Sequence, residues 1–123
     1  MQQAATKAYG QVAQQTASPR ELEVQLLLRA ASRLQAVHDE WNGERPASLD
    51  QALHYNRKLW TIFLTSVTSN ENPLPREIRQ NVANLGLFVM NQTVAVIGNP
   101  QRERLPCLIN INRELAAGLR TAP

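Results

Sequence analysis

Apolar side chains recur every three or four residues along most of the chain, which is the spacing of one face of an α-helix. The pattern covers four segments, residues 19–41, 49–67, 78–97 and 105–119. Strict alternation of apolar and polar residues, which is typical of half-buried strands, is absent from the sequence. The pattern therefore predicts an all-α fold.

Local signals indicate where these helices begin. Ser18, Pro19 and Glu21 combine a capping hydroxyl, a proline suited to the first helical position and a carboxylate three residues after the cap. Ser48 is followed in the same way by Gln51, and a proline precedes the third segment at position 75. Capping boxes are therefore predicted at Ser18 and Ser48.

Glycine and proline occur in the short connections between the segments, at Gly43 and Pro46, in residues 70–75 and in residues 98–100. Connections of this length make consecutive helices antiparallel neighbours. A shorter N-terminal pattern in residues 4–15 is typical of a docking helix or an arm.

The sequence thus predicts one domain over residues 1–123. Residues 18–120 are expected to form a small bundle of four main antiparallel helices, and residues 1–17 a shorter N-terminal helix or arm.

Composition agrees with a folded domain. Of 123 residues, 43% are hydrophobic and 19% are charged, and the net charge is +3 with both signs interspersed. Because no block of lysine and arginine is present, direct binding of nucleic acid is not indicated. Cys107 is the single cysteine, and no apolar run approaches the ~20 residues that span a membrane. We expect a cytoplasmic protein without membrane insertion.

Candidate chemistry is sparse. Asp50 and His54 share a helix face, but no nucleophile is tied to them. His38, His54 and Cys107 lie on separate segments without metal-ligand spacing. The expectation is therefore no catalytic residue, no metal, no cofactor and no enzyme activity.

Three side chains interrupt or flank the apolar faces. Asn56 and Asn112 occupy positions where a bundle would bury a hydrophobic residue, so each needs a hydrogen-bond partner. They either join two helices or contact a partner directly. Trp60, at the edge of its apolar face, is either core or an interaction anchor.

Other residues are expected to be structural. Gly86 lies inside an apolar helix and predicts a close helix crossing. The remaining predicted core positions are Leu53, Leu59, Phe63, Leu85, Leu108 and Leu115. The strongly apolar helix of residues 78–97 has a second apolar face, which would suit self-association or a partner.

Four stretches, in order and at the right spacing, resemble the FlaF family of bacterial flagellar biosynthesis regulators. Residues 49–60 are similar to its central motif A-L-x-x-N-R-x-L-W, and residues 108–113, followed by Gly118, to its closing L-I-x-I-N-R…G-L. Residues 72–75 with Arg79 match its N-x-L-P…R, and residues 16–23 its opening T-x-S-P-R-x-L-E. The similarity extends over almost the whole chain.

The resemblance implies a cytoplasmic, non-enzymatic protein that binds flagellin as a secretion chaperone or adaptor and promotes flagellin synthesis and export. It also implies action together with the regulator FlbT. An alternative is post-transcriptional regulation, acting mainly through FlbT or by direct binding of flagellin mRNA.

The family motifs also suggest where a partner binds. We expect an apolar groove flanked by Asn56, Arg57, Trp60 and the last helix to receive a flagellin helix, with Asn112 and Arg113 as further contacts. Direct RNA binding would instead use basic residues, namely Arg57, Lys58, Arg102, Arg104, Arg113 and Arg120.

Overall fold

The computed structural model describes residues 18–121, which form helices joined by short connections. The helices are α1 (Pro19–Glu40), α2 (Leu49–Val67), α3 (Arg76–Gly98) and α4 (Leu105–Thr121), and a 3-10 turn (Arg102–Arg104) precedes α4. The predicted all-α class with four main helices is confirmed over this part of the chain. The predicted N-terminal helix or arm, residues 1–17, lies outside the described residues.

The start of α1 has the predicted cap. Ser18 is extended, with φ −62° and ψ 153°, and its Oγ accepts a hydrogen bond of 3.1 Å from the Glu21 N–H. This bond satisfies one of the N–H groups that the first turn of a helix leaves unpaired. The Glu21 carboxylate lies 3.7 Å from Arg120 Nη2, so the start of α1 meets the end of α4.

The start of α2 differs from the prediction, because the capping box at Ser48 does not form. Ser48 already has helical angles, and its side chain makes no capping hydrogen bond. Its hydroxyl donates instead to the Glu40 carboxylate at 3.1 Å. The Arg45 guanidinium donates to Asp50 in the first turn of α2. A contact with the preceding helix thus replaces the local cap.

Consecutive helices run in opposite directions. Gly43 adopts φ +82°, a left-handed conformation that glycine tolerates, in the connection that reverses the chain between α1 and α2. Arg79 Nη1 donates to the Ser69 carbonyl at 3.1 Å, which places the start of α3 beside the end of α2. Arg102 Nε, just before α4, donates at 2.8 Å to the His38 carbonyl near the end of α1.

The four helices enclose one continuous core. α1 packs against both α2 and α4, α3 packs mainly against α2, and α4 and α3 approach each other much less closely. α2 and α4 therefore occupy opposite corners across the core. Four predicted structural residues are buried there, namely Leu53, Leu59, Phe63 and Leu108.

The predicted close crossing at Gly86 lies between α2 and α3. Gly86 is buried, and a Cβ atom placed on it would lie 2.5 Å from Leu64 Cδ2 and 2.8 Å from Leu64 Cγ. Any larger residue must therefore displace Leu64. The cost of a glycine inside a helix is offset here by close packing of the Leu64 side chain against the backbone at Gly86.

Gly86→Ala is expected to lower the free energy of unfolding by about 1–2 kcal/mol, because overpacking outweighs the ~1 kcal/mol that alanine contributes to helix stability. In a Leu64→Ala background the clash is removed, and the same change should be neutral or stabilising. Urea denaturation of the four proteins measures both effects. An equal loss in the two backgrounds would contradict the role assigned to Leu64.

Candidate functional site

The most unusual side chains of the sequence form a buried hydrogen-bonded chain that crosses the core. Trp60 Nε1 donates to Asn112 Oδ1 at 2.9 Å, and Asn112 Nδ2 donates to Asn56 Oδ1 at 2.6 Å. All three side chains have 0% exposure. The network joins α2 to α4 at opposite corners of the fold, which fixes how these two helices face each other.

The expected groove beside Asn56 and Trp60 is therefore not present at that place. The outer surface of the fold does not expose these side chains, and the amide of Asn112 is buried with them. Two roles were considered for the asparagines, and the structure confirms the interhelical hydrogen bond. Trp60 belongs to the core, where its ring meets Phe63 edge to face with centroids 5.7 Å apart.

The two arginines of the predicted site, Arg57 and Arg113, are exposed on α2 and α4. They do not share the buried network with Asn56 and Asn112, although they follow them directly in sequence. Consecutive residues of a helix point about 100° apart, so the central and the closing motif each present an asparagine inward and an arginine outward. Both arginines stay predicted partner contacts.

An open apolar groove lies instead between α3 and α4, where these helices are less closely packed. Its walls are mainly apolar, with Ile78 and Leu85 from α3 facing Ile111 and Leu115 from α4. The groove has a volume of about 310 Å³. Polar side chains stand at its edge, namely Asn81 and Glu114.

Leu85 and Leu115, predicted as structural residues, have a second role in this groove. Both are partly buried and pack against the core, and both also line the groove. The end of the groove carries Gly118, where a Cβ atom would meet nothing within 4 Å. The position therefore has open space for the first atom of a side chain.

α3, which forms the other wall, is the most apolar element of the described fold. By length and composition alone α3 could cross a membrane, but core helices of soluble proteins share these two properties. In this fold 28% of an apolar 18-residue stretch of α3 is buried. Much of its apolar surface thus faces outward.

The residues considered for chemistry do not assemble into a reactive site. Asp50 is engaged by Arg45, and the Cys107 thiol lies 3.5 Å from the Arg104 carbonyl. Among residues 18–121, no group of three His, Cys, Asp or Glu side chains is placed to hold a metal ion.

Two carboxyl groups on α1 have shifted pKa values, and both lie away from the groove. Burial raises the pKa of Glu23, and the nearby charge of Arg20 partly opposes this shift. A hydrogen bond from Gln35 is the main cause that lowers the pKa of Asp39, and His38 adds to it. The apolar walls of the groove therefore determine what it can bind.

Comparison with known proteins agrees with the motifs. The family model described as "Flagellar protein FlaF" matches residues 5–119, nearly the whole chain. No curated protein and no solved structure matches the chain. The match includes α1 to α3, nearly all of α4 and all four motifs, and the chain therefore belongs to the FlaF family of flagellar proteins.

Proposed function

We propose that this protein binds flagellin as a secretion chaperone or adaptor and so promotes flagellin synthesis and export. The groove between α3 and α4 is the proposed binding site, and its apolar walls on a flagellar-family protein are the observation that carries the proposal. The proposal places this action in the cytoplasm, before export, and involves neither catalysis nor a cofactor.

The shape of the groove suits an amphipathic helix. Ile78 and Leu85 are two helical turns apart, as are Ile111 and Gly118 on the opposite wall. A client helix that lies along these walls would insert apolar side chains spaced three, four and seven residues apart. Since the volume of about 310 Å³ is small, the groove would hold anchor side chains while the rest of the client helix covers the surface.

Gly118→Phe tests the groove directly, because the new ring would fill it from inside while the fold is kept. We expect the affinity for purified monomeric flagellin to fall by at least ~10-fold, which corresponds to about 1.4 kcal/mol of lost binding energy. Titration calorimetry measures the affinity, and circular dichroism reports whether α4 stays intact.

Ala117→Phe is the matched control. Ala117 is the preceding residue of α4, is exposed, and does not line the groove. The same ring at this position should leave the affinity for flagellin unchanged within about twofold. If Gly118→Phe binds flagellin as tightly as Ala117→Phe, the client site is not this groove.

Salt dependence separates the proposal from the nucleic-acid alternative. Binding of flagellin mRNA by exposed basic residues would weaken by up to about one log unit per log unit of salt for each phosphate contact. Flagellin binding by insertion of apolar side chains would change little with salt concentration. Repeating the flagellin and RNA titrations at two salt concentrations, with FlbT present or absent, shows which partner the chain binds by itself.

A further inference from the structure

The outward face of α3 carries no charge over most of its length. Residues 80–98 contain no Asp, Glu, Lys or Arg. The same helix exposes four of the six large exposed hydrophobic side chains of the described fold, namely Leu87, Phe88, Val94 and Ile97. Leu87 and Val94 are the most exposed, at 60% and 67%. An uncharged helix face with this much apolar surface indicates a contact surface.

The exposed residues of this face follow a heptad spacing. Gln80, Asn84, Leu87, Asn91 and Val94 alternate at intervals of four and three residues, and all five are exposed. This is the spacing of the seam of a coiled coil, in which two helices pack side by side. We define these five residues as the α3 seam.

The α3 seam is separate from the groove. Leu85 and Leu87 are two residues apart, so their side chains point to nearly opposite sides of the helix. Leu85 faces α4 and Leu87 faces outward. The core contacts of α3 lie on its inner side at Val82, Val89 and Val96. A partner on the α3 seam would therefore leave the groove open.

We propose that the α3 seam is the contact between two copies of this chain. In a two-fold contact the same patch meets itself, so a charge near the axis would face its own like charge. The absence of charge over residues 80–98 removes this repulsion. A partner of different sequence would impose no such restriction.

The two asparagines of the α3 seam also suit a second copy. A side-chain amide carries both donors and an acceptor, so Asn84 and Asn91 can pair with the amides of an identical seam. Asparagines in a coiled-coil seam fix register at some cost in stability. Asn84 and Asn91, which lie on either side of Leu87, would thus align the two copies and keep their association reversible.

The expected affinity is modest. The α3 seam is about 21 Å long at ~1.5 Å per residue, and the contact is one helix wide. Such a contact falls below the area of a standard stable interface. We therefore expect a monomer–dimer equilibrium with a dissociation constant on the order of 10 µM. This association goes beyond the proposed function and does not require flagellin.

Sedimentation equilibrium of the full chain at several concentrations tests this proposal. The average mass of the unmodified protein should rise towards twice the chain mass. Leu87→Glu and Leu87→Lys should each weaken association by at least ~10-fold, because like charges would meet at the contact. A mixture of the two variants should associate again, which is expected only where position 87 lies near itself across a two-fold contact.

Ile62→Glu is the matched control. Ile62 is 58% exposed, but it lies on α2 two turns after Tyr55, whose ring contacts Arg33 of α1, so it faces away from α3. This variant should associate as the unmodified protein does. A protein that stays monomeric at ~100 µM, or charge variants whose mixture does not associate, would overturn the proposal.

The other occupants of the α3 seam give different results. If a monomeric protein bound neutral phospholipid vesicles and Leu87→Glu abolished that binding, the face would be a membrane contact and the proposal would fail. It would also fail if Leu87→Glu prevented flagellin binding but left self-association unchanged. Since Gly118→Phe tests the groove from α4, failure of either proposal can be told from failure of the other.

Discussion

Trp60→Ala is expected to lower the free energy of unfolding by about 3–5 kcal/mol, the range observed when a large buried aromatic is truncated. The indole is fully buried, packs edge to face against Phe63, and donates to Asn112. Domains of this size are stable by roughly 5–15 kcal/mol in total. The substitution is thus expected to remove a large part of the margin that keeps the chain folded.

Trp60→Phe separates packing from hydrogen bonding. Phenylalanine keeps an aromatic ring beside Phe63 but removes the N–H that Asn112 accepts, so the loss should be smaller, about 1–3 kcal/mol. Lys58→Ala, an exposed change on the same helix, should stay within about 0.5 kcal/mol. Urea denaturation followed by circular dichroism gives the three values. A loss below 1 kcal/mol for Trp60→Ala would show that the indole is not a core residue.

The burial of Trp60 also changes how flagellin binding should be tested. Weaker flagellin binding by a Trp60 variant would follow from partial unfolding as readily as from a lost contact. Gly118 and Ala117 avoid this problem, since both lie on the exposed side of α4 and neither is in the core. The flagellin proposal is therefore best tested at the end of the groove.

Much of the fold could be predicted because its signals are local. The periodicity that predicted a first helix over residues 19–41 is matched by α1 (Pro19–Glu40), and the cap at Ser18 forms as expected. These features depend on residues within one or two turns of each other. The predicted cap at Ser48 does not form because of a residue that is distant in sequence: the Glu40 carboxylate, from the preceding helix, accepts the hydrogen bond of the Ser48 hydroxyl.

The place of the groove could not be predicted from periodicity. Periodicity shows which residues of a helix face inward, but it does not give the distance between two helices. α3 and α4 carry apolar faces as continuous as those of α1 and α2, yet they pack less closely against each other. Leu85 and Leu115 were therefore expected to be core residues, while the structure also opens them to the groove.

The error over Asn56 and Trp60 has a physical cause. Asn56, Asn112 and Trp60 were weighed as partner contacts because they cluster in the two motifs most typical of the family, and a role in the core was weighed beside this. Asn56 and Trp60 are four residues apart and share a face, so both can reach one asparagine on a helix across the core. Satisfaction of three polar groups by one another is a tertiary property, and a single helix does not reveal it.

Asn112 is the central member of this network, and its loss should be costly. Asn112→Leu removes the acceptor of the Trp60 N–H and the donor to Asn56 together. Two buried polar groups are left without a partner, at about 1–3 kcal/mol each, so we expect a total loss of about 2–6 kcal/mol. Thermal or urea unfolding measures it.

Asn56→Leu is the matched comparison, because Asn56 is equally buried but occupies the end of the network. Among the described residues, its Nδ2 has no hydrogen-bond partner, so replacing it also removes one unsatisfied buried donor. The loss should therefore be smaller than for Asn112→Leu by about 1–2 kcal/mol. The double variant should cost less than the sum of the two single changes, since the groups stranded by one are removed by the other. Equal losses for the two single variants, or losses that simply add, would mean that the three side chains do not act as one network.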